Sequence, residues 1–289
     1  MSLAGTTSTP RRRARFTNAV RNNPIAALGL LFVGAFVAFA AAPGLFAASD
    51  PTLVDLSQRL QPPSAEHVFG TDHLGMDVYS RVVHGARTTM FIVLVVLGIA
   101  VSIGTVVGAI AGYVGGIVDE VLMRITDVML AFPFLVLAIA INAALGRGLW
   151  QTMLAVGLSW WPSYARLVRG QILSVKNNEY VLAARALGAR QQRTLVRHVI
   201  PNAFDPVLVR ITLDVGFVAL TTAGLSFLGL GAEPPTPEWG RMVAEGRDYL
   251  LNQWWITTFP GLALFVVVVG FNLLGIILRD WLDPSGINR

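Results

Sequence analysis

The sequence predicts an all-α membrane protein with six transmembrane helices, and three observations carry that prediction. Of 289 residues, 54% are apolar and 13% charged, whereas a soluble domain carries about 25% charged residues. The charges are also clumped: residues 22–49, 88–118, 128–146, 148–165, 215–232 and 249–278 contain no Asp, Glu, Lys or Arg, and these runs cover half of the chain. Each approaches or exceeds the roughly 18 apolar residues that cross a hydrocarbon core of about 30 Å as a helix. Finally, a mean hydropathy of +0.61 coexists with a net charge of +5, because the basic residues lie between the apolar runs rather than within them. A water-soluble enzyme is excluded.

Residues 1–24 read as a cytoplasmic tail and elbow segment, with Arg11, Arg12, Arg13, Arg15 and Arg21 interleaved with Phe16 and Val20. The first span is placed at 25–46. Small residues at Ala40–Ala42 could pass for a signal-peptide cleavage site, but the apolar stretch exceeds the roughly 7–15 residues of a signal sequence, so the span is read as retained. Pro24 suits a first helical turn, where its missing N–H costs nothing. An outer loop follows at 47–88, and the transmembrane core occupies 89–289. Within it, spans are expected at 89–114, 128–146, 149–168, 206–231 and 258–278. Gly146-Arg147-Gly148 makes a tight hairpin between the third and fourth, and an inner loop fills 169–203.

Six crossings put both termini on one side. With the N-terminus inside, the inner segments hold 15 Lys and Arg residues and the outer segments 6, so the positive-inside rule places both termini in the cytoplasm.

The residue inventory excludes several chemistries. There is no cysteine, hence no disulfide, thiolate metal site or cysteine nucleophile. The basic residues are 21 Arg and one Lys, Lys176, preceded by Val175 where a phosphate-binding loop needs glycine. The histidines, His67, His73, His84 and His198, lie outside the uncharged runs, and no HExxH or GxSxG occurs. The pI near 10.2 does not mark a nucleic-acid surface, because the arginines are spread over membrane-flanking loops. The chain is expected to bind no metal and no cofactor.

The inner loop carries the most specific pattern. From Asn178, Val181, Leu182, Ala184 and Leu187 recur at helical spacing, and Gly188 stops the helix. A second short helix is expected from Arg190 to His198, broken by Pro201. The two make a compact cytoplasmic knob whose alanines at 183, 184 and 186 permit close approach by another protein. This segment resembles the coupling motif of binding-protein-dependent ABC importer permeases: an Ala-Ala pair (Ala183, Ala184), a glycine four residues on (Gly188) and a later hydrophobic-Pro (Ile200-Pro201). Leu182 stands where that motif has its glutamate.

Further segments narrow the resemblance to the C-type subunit of the dipeptide/oligopeptide permease family. Phe69-Gly70-Thr71-Asp72-His73-Leu74-Gly75-Met76-Asp77 is similar to its GTDxxGRD segment. Leu122-Met123-Arg124 with Asp127 and Ala131-Phe132-Pro133 resembles the entry to its third span. Gly224-Leu225-Ser226-Phe227-Leu228-Gly229-Leu230-Gly231, with Pro234-Pro235-Thr236-Pro237 and Trp239-Gly240, resembles the exit of its fifth. Coverage runs from about residue 16 to 285. Met76 replaces a usual arginine, Thr222 a common glutamate and Asp214 a small residue.

The resemblance implies a type I ABC importer permease fold in a bacterial inner membrane, forming half of a pathway for peptides or similar small solutes by alternating access. It also implies a paralogous B-type permease, ATPase subunits that hold ATP and magnesium, and an extracytoplasmic binding protein. Coupling to the ATPase falls on Glu179, Tyr180, Leu182, Ala183, Ala184, Arg185, Leu187, Gly188, Ile200 and Pro201; Asp214, Thr222 and Ser226 are candidates for the translocation pathway. A stand-alone transporter using Asp214 as an ion relay is the alternative. It accounts neither for the knob nor for the lack of internal repeats expected of such folds.

Three other constellations are open to two readings. Gly104, Gly108, Gly112 and Gly116 recur every four residues, as a packing stripe or a pathway wall. Arg210 and Asp214 form an i,i+4 pair, either local or facing a watery cavity. Asp72, His73, Asp77 and His84 include ligand types for a cation, but Thr71-Asp72 equally reads as a helix cap with Asp77 and Arg81 paired one turn on.

The orientation can be checked on a chain with no native cysteine. An impermeant thiol reagent applied from outside should label Glu66→Cys and spare Gln191→Cys; the reverse pattern contradicts the charge count.

Overall fold

A computed structural model describes residues 24–186 and 199–282. Among these residues there are helices and no strands, the only β feature being an isolated Thr71–Asp77 bridge. Helix α1 spans Pro24–Ala41 and the single turn α2 spans Pro43–Phe46. The first expected span is therefore broken at Ala42 (φ −138°, ψ 62°), because Pro43 has no N–H to donate and bars the residue before it from the helical region.

Helix α3 is Val78–Val114, eleven residues longer at its start than expected. Asp77, not Thr71-Asp72, is its cap: the carboxylate accepts the Ser80 N–H at 2.7 Å. The last eleven residues of the loop expected at 47–88 are therefore helical. Helices α4 (Gly116–Leu130) and α5 (Phe134–Leu145) meet at a 90° bend, so the single third span expected at 128–146 is a bent pair. Pro133 is the cause, by the same restriction as Pro43.

Helix α6 runs Leu149–Val175, seven residues into the segment expected as the inner loop. The short helices α7 (Glu179–Ala186) and α8 (Ile200–Ala203) follow, with Pro201 in the first turn of α8. The expected helix at 190–198 lies outside the described residues. Helix α9 is Asp205–Phe227, α10 is Trp239–Gly246 and α11 is Trp255–Leu282. Four of these, α1, α3, α9 and α11, are long and apolar enough to cross a membrane, or five with the α4–α5 pair as one span. Helix α6 has the length but carries Arg166, Arg169 and a polar centre. It can do so because that centre is turned inward: Thr152, Ser159, Trp160 and Tyr164 are all buried.

The core is organised around the contact of α3 with α6. A Cβ on Gly104 would strike Tyr164 Cβ, one on Gly108 would lie 2.9 Å from Val168 Cβ, and one on Gly112 would lie 3.0 Å from Ile172 Cβ. The glycine stripe is a packing seam that lets the two helices touch backbone to backbone. Gly116 is not part of it; it opens α4 at φ +58° with nothing near its Cβ position. Helix α11 is seated similarly, Gly270 against Phe32 of α1 and Gly216 of α9 against Val268.

Two ends of the bundle can be distinguished. The loop end gathers residues 47–77, the 146–148 hairpin and α10; the knob end gathers α7, α8 and the α3–α4 junction.

Replacing Gly108 by Val should overfill the α3–α6 seam at a cost of about 1–3 kcal/mol, seen as a lower melting temperature in detergent. Gly98→Val, on the same helix with open space at its Cβ, should melt like the parent.

Candidate functional site

At the loop end, the sequence Phe69–Asp77 closes a tight knot. The Asp72 carboxylate accepts the N–H groups of Leu74 (2.8 Å) and Met76 (3.0 Å), which turns the chain back on itself. Gly75 sits at φ +76° with its Cβ position occupied by the Asp55 carbonyl, so only glycine fits there.

Arg81, 1% exposed, projects from α3 into this knot. Its guanidinium lies 3.6 Å from Asp72, 3.5 Å from Glu245 of α10 and 2.8 Å from Met76 Sδ. The expected Asp77–Arg81 side-chain pair is therefore not made: Asp77 is committed to Ser80 and to His67 at 3.1 Å. Trp255 Nε1 donates to the Thr71 carbonyl (3.1 Å) and Trp239 Nε1 to the Val82 carbonyl (2.9 Å), fastening α10 and α11 to the same knot. Glu238 caps α10 through Gly240 and Arg241, and burial pushes its carboxyl above the usual range.

Asp72, His73, Asp77 and His84 do not converge. His73 stacks on Tyr249 and His84 bonds the Ser80 carbonyl at 2.9 Å, and the described residues contain no group of three or more potential metal ligands.

Midway along α9, Arg210 and Asp214 pair at 2.9 Å, as their spacing predicts. Sequence reasoning missed the other half of this cluster. Trp160 Nε1 (2.8 Å) and Tyr164 Oη (2.9 Å), both from α6, donate to the same Asp214 oxygen, Oδ2. A buried Trp or Tyr needs an acceptor, which is the one signal that the uncharged Trp160–Tyr164 segment offered. Asp214 also lines a cavity of about 320 Å³ between α9 and α11, with Arg210, Leu213, Gly216, Phe217, Leu220, Val268 and Asn272.

Thr222 and Ser226 do not join this cavity. Thr222 Oγ1 returns to the Val218 and Ala219 carbonyls, and Ser226 is buried against Gly231. Beyond Ser226, α9 ends in a Schellman turn: Gly229 at φ +82° donates to Ser226, and Leu230 donates to Leu225. The Leu230 carbonyl then accepts from Thr152 Oγ1 (2.7 Å) and Gly148 N (3.3 Å) at the start of α6.

At the knob end, Arg169 grips Asp119 through two bonds of 2.5 and 2.6 Å, and Lys176 Nζ donates to the Gly112 carbonyl at 2.8 Å. A cation at a helix C-terminus satisfies orphan carbonyls and opposes the helix dipole. On α7, Glu179, Tyr180 and Ala183 are exposed while Val181 is buried in a cluster that includes Val175, Val199 and Ala203. Leu182, Ala184 and Arg185 belong to the same helix. Leu187 and Gly188 lie outside the described residues. Ile200 is half-buried and Pro201 exposed on α8.

An apolar helical bundle with ion pairs at its ends and one buried carboxylate cluster near its middle defines a polytopic membrane protein. Residues 104–286 match the family of binding-protein-dependent transport system inner membrane components, and the chain belongs to it. It is 42% identical to the probable D,D-dipeptide transport system permease protein DdpC of Escherichia coli (strain K12), over 96% of this chain and 94% of that one. It is 40% identical to the dipeptide transport system permease protein DppC of Alkalihalophilus pseudofirmus, over 92% of this chain and 88% of the relative. It is also 40% identical to the nickel transport system permease protein NikC of Escherichia coli (strain K12), over 81% and 85% respectively. The chain is an ABC importer permease subunit, and the stand-alone ion-coupled transporter is set aside.

Removing the Asp214 carboxylate orphans two buried donors at once. Asp214→Ala should cost about 1–3 kcal/mol for each, read as lost folded protein and a lower melting temperature. Asp214→Asn, which keeps an acceptor oxygen, should be milder.

Proposed function

We propose that this subunit forms half of the translocation pathway of an ATP-driven importer of di- or oligopeptides. The observation that carries the cargo class is the 42% identity, over 96% of the chain, to a D,D-dipeptide permease; the nickel permease aligns over the smaller share of 81%. In this reading the polypeptide crosses the membrane six times, the α4–α5 pair and α6 being the third and fourth spans, in the type I importer arrangement. Both termini face the cytoplasm. A second permease subunit completes the pathway, and an extracytoplasmic binding protein delivers cargo to the loop end.

The knob is where ATP enters the mechanism. Glu179, Tyr180, Leu182, Ala183, Ala184, Arg185, Leu187 and Gly188, with Ile200 and Pro201, enter a groove of the ATPase subunit, which holds ATP and magnesium. This chain itself holds no cofactor. Exposure of Glu179, Tyr180 and Ala183 supports that placement, with Val181 buried beneath them as the anchor. The ties from Arg169 and Lys176 to α4 and α3 give a push on the knob a stiff route into three helices. Asp214, Thr222 and Ser226 belong to the pathway helix α9; Asp214 borders the cavity between α9 and α11.

The coupling role is tested in reconstituted vesicles that contain all subunits. Ala184→Trp should overfill the ATPase contact by about 1–3 kcal/mol or more, and Gly188→Val should put a β-branched side chain where the coupling motif has glycine, a strained change if that glycine adopts positive φ. Both variants should assemble with the second permease, yet dipeptide delivery should no longer stimulate ATP hydrolysis or drive uptake. Wild-type stimulation in both would remove the knob from the mechanism.

A further inference from the structure

We infer that Arg210 is the recognition group for a carboxylate on the cargo, bound in the cavity between α9 and α11. This rests on the peptide reading above and goes beyond it by assigning a site. Arg210 lines two adjoining cavities, of about 320 and 220 Å³. Its bond to Asp214 uses Nε alone, and its carbon Cζ lies 5.8 Å from the centre of the Trp160 ring. Among the described residues Asp214 is its sole salt-bridge partner, which leaves both terminal nitrogens for another acceptor. A guanidinium held by one edge in this way presents a planar pair of donors, the geometry that matches a carboxylate.

The setting supports an anion from the aqueous path rather than a structural partner within the chain. The Arg210 side chain is 44% exposed while Asp214 is 6% exposed, so the buried member anchors and the exposed member reaches outward. An arginine inside a membrane helix faces a partner or a watery cavity, because lipid would leave it unsolvated. Along α9, Arg210, Phe217, Leu220, Gly224 and Phe227 are exposed at spacings of one or two turns, a stripe that is cationic at one end and apolar beyond.

The cavity wall repeats this division. Gly216 gives it depth, and Leu213, Phe217, Leu220 and Val268 make it apolar. Asn272, whose Nδ2 is bonded to the Val268 carbonyl, leaves its Oδ1 as an acceptor. A charged fork, one amide acceptor and apolar walls suit a small carboxylate with a short side chain and an N–H.

The test uses the assembled importer in nanodiscs, without binding protein, so that recognition upstream is bypassed. Leu213→Cys and Phe217→Cys each place the only cysteine of this subunit in the cavity. Alkylation by a small water-soluble thiol reagent is timed with dialanine, dialanine amide or N-acetylalanine present. Dialanine and N-acetylalanine should slow labelling about tenfold, the order expected of charge-assisted hydrogen bonds, and the amide should not. Adding Arg210→Gln should abolish protection, judged as the ratio of labelling rates with and without ligand in the same variant. Where that single change prevents assembly, Arg210→Gln with Asp214→Asn removes both charges together and serves instead.

Protection by N-acetylalanine without protection by dialanine keeps the carboxylate site and sinks the peptide reading. Equal protection by the amide, protection that survives loss of Arg210, or no protection by any of the three overturns the site. So does failure of the reagent to reach either cysteine, since a cavity closed to water cannot take an anion from it.

Discussion

Close approach of α3 and α6 is the constraint on which the other contacts depend. Gly104, Gly108 and Gly112 bring the two backbones together, and this fixes the rotation and height of α6. From that position Tyr164, whose Cβ lies on Gly104, directs its hydroxyl to Asp214, and Trp160 one turn away reaches the same oxygen. Toward the knob end the same register sets Arg169 opposite Asp119 and Lys176 opposite the last carbonyls of α3. One side chain inserted into the seam would displace all of these, because packed interiors transmit strain rather than absorb it.

The polar interactions are distributed by what the surroundings make of them. Arg81, the most deeply buried arginine among the described residues, is set among two carboxylates, a thioether and two backbone carbonyls. Such a group is costly to bury alone and tolerable only with its surroundings filled. The exposed pairs, such as Arg124–Glu120 and Arg247–Asp248, add little to stability. Specific structure at the loop end therefore comes from one satisfied cation, which joins Asp72 to Glu245 of α10, and from two indole N–H groups directed at the Thr71 and Val82 carbonyls.

Apolar runs were legible because hydropathy alone decides them, and so was the Arg210–Asp214 pair, which helical spacing fixes. The breaks at Ala42 and Phe132 were also written in the sequence, in Pro43 and Pro133, but a run of uncharged residues hides a change of direction that costs no charge. The start of α3 was misplaced because the uncharged run begins only after Arg87, whereas the helix opens eleven residues before the expected start, capped by Asp77, and takes in Arg81 and Arg87. Only the fold shows that Asp72 is consumed by the turn around Gly75. Trp160 and Tyr164 could not have been assigned to Asp214, since fifty residues separate them and nothing local sets that distance. The motif around Ser226 was readable as a resemblance, yet its physical content, a Schellman turn handing a carbonyl to α6, needed both helices in place.

That shared carbonyl has a mechanical meaning. Leu230 ties the end of α9 to the start of α6 through Thr152 and Gly148, and the two helices run from this point toward the knob end. A pair of rods pinned at one end can splay only at the other, like the blades of a shear. Partway along the blades, Trp160 stacks on Phe217, and Trp160 and Tyr164 bond Asp214. Those contacts act as a latch: parting α6 from α9 toward the knob end requires giving them up.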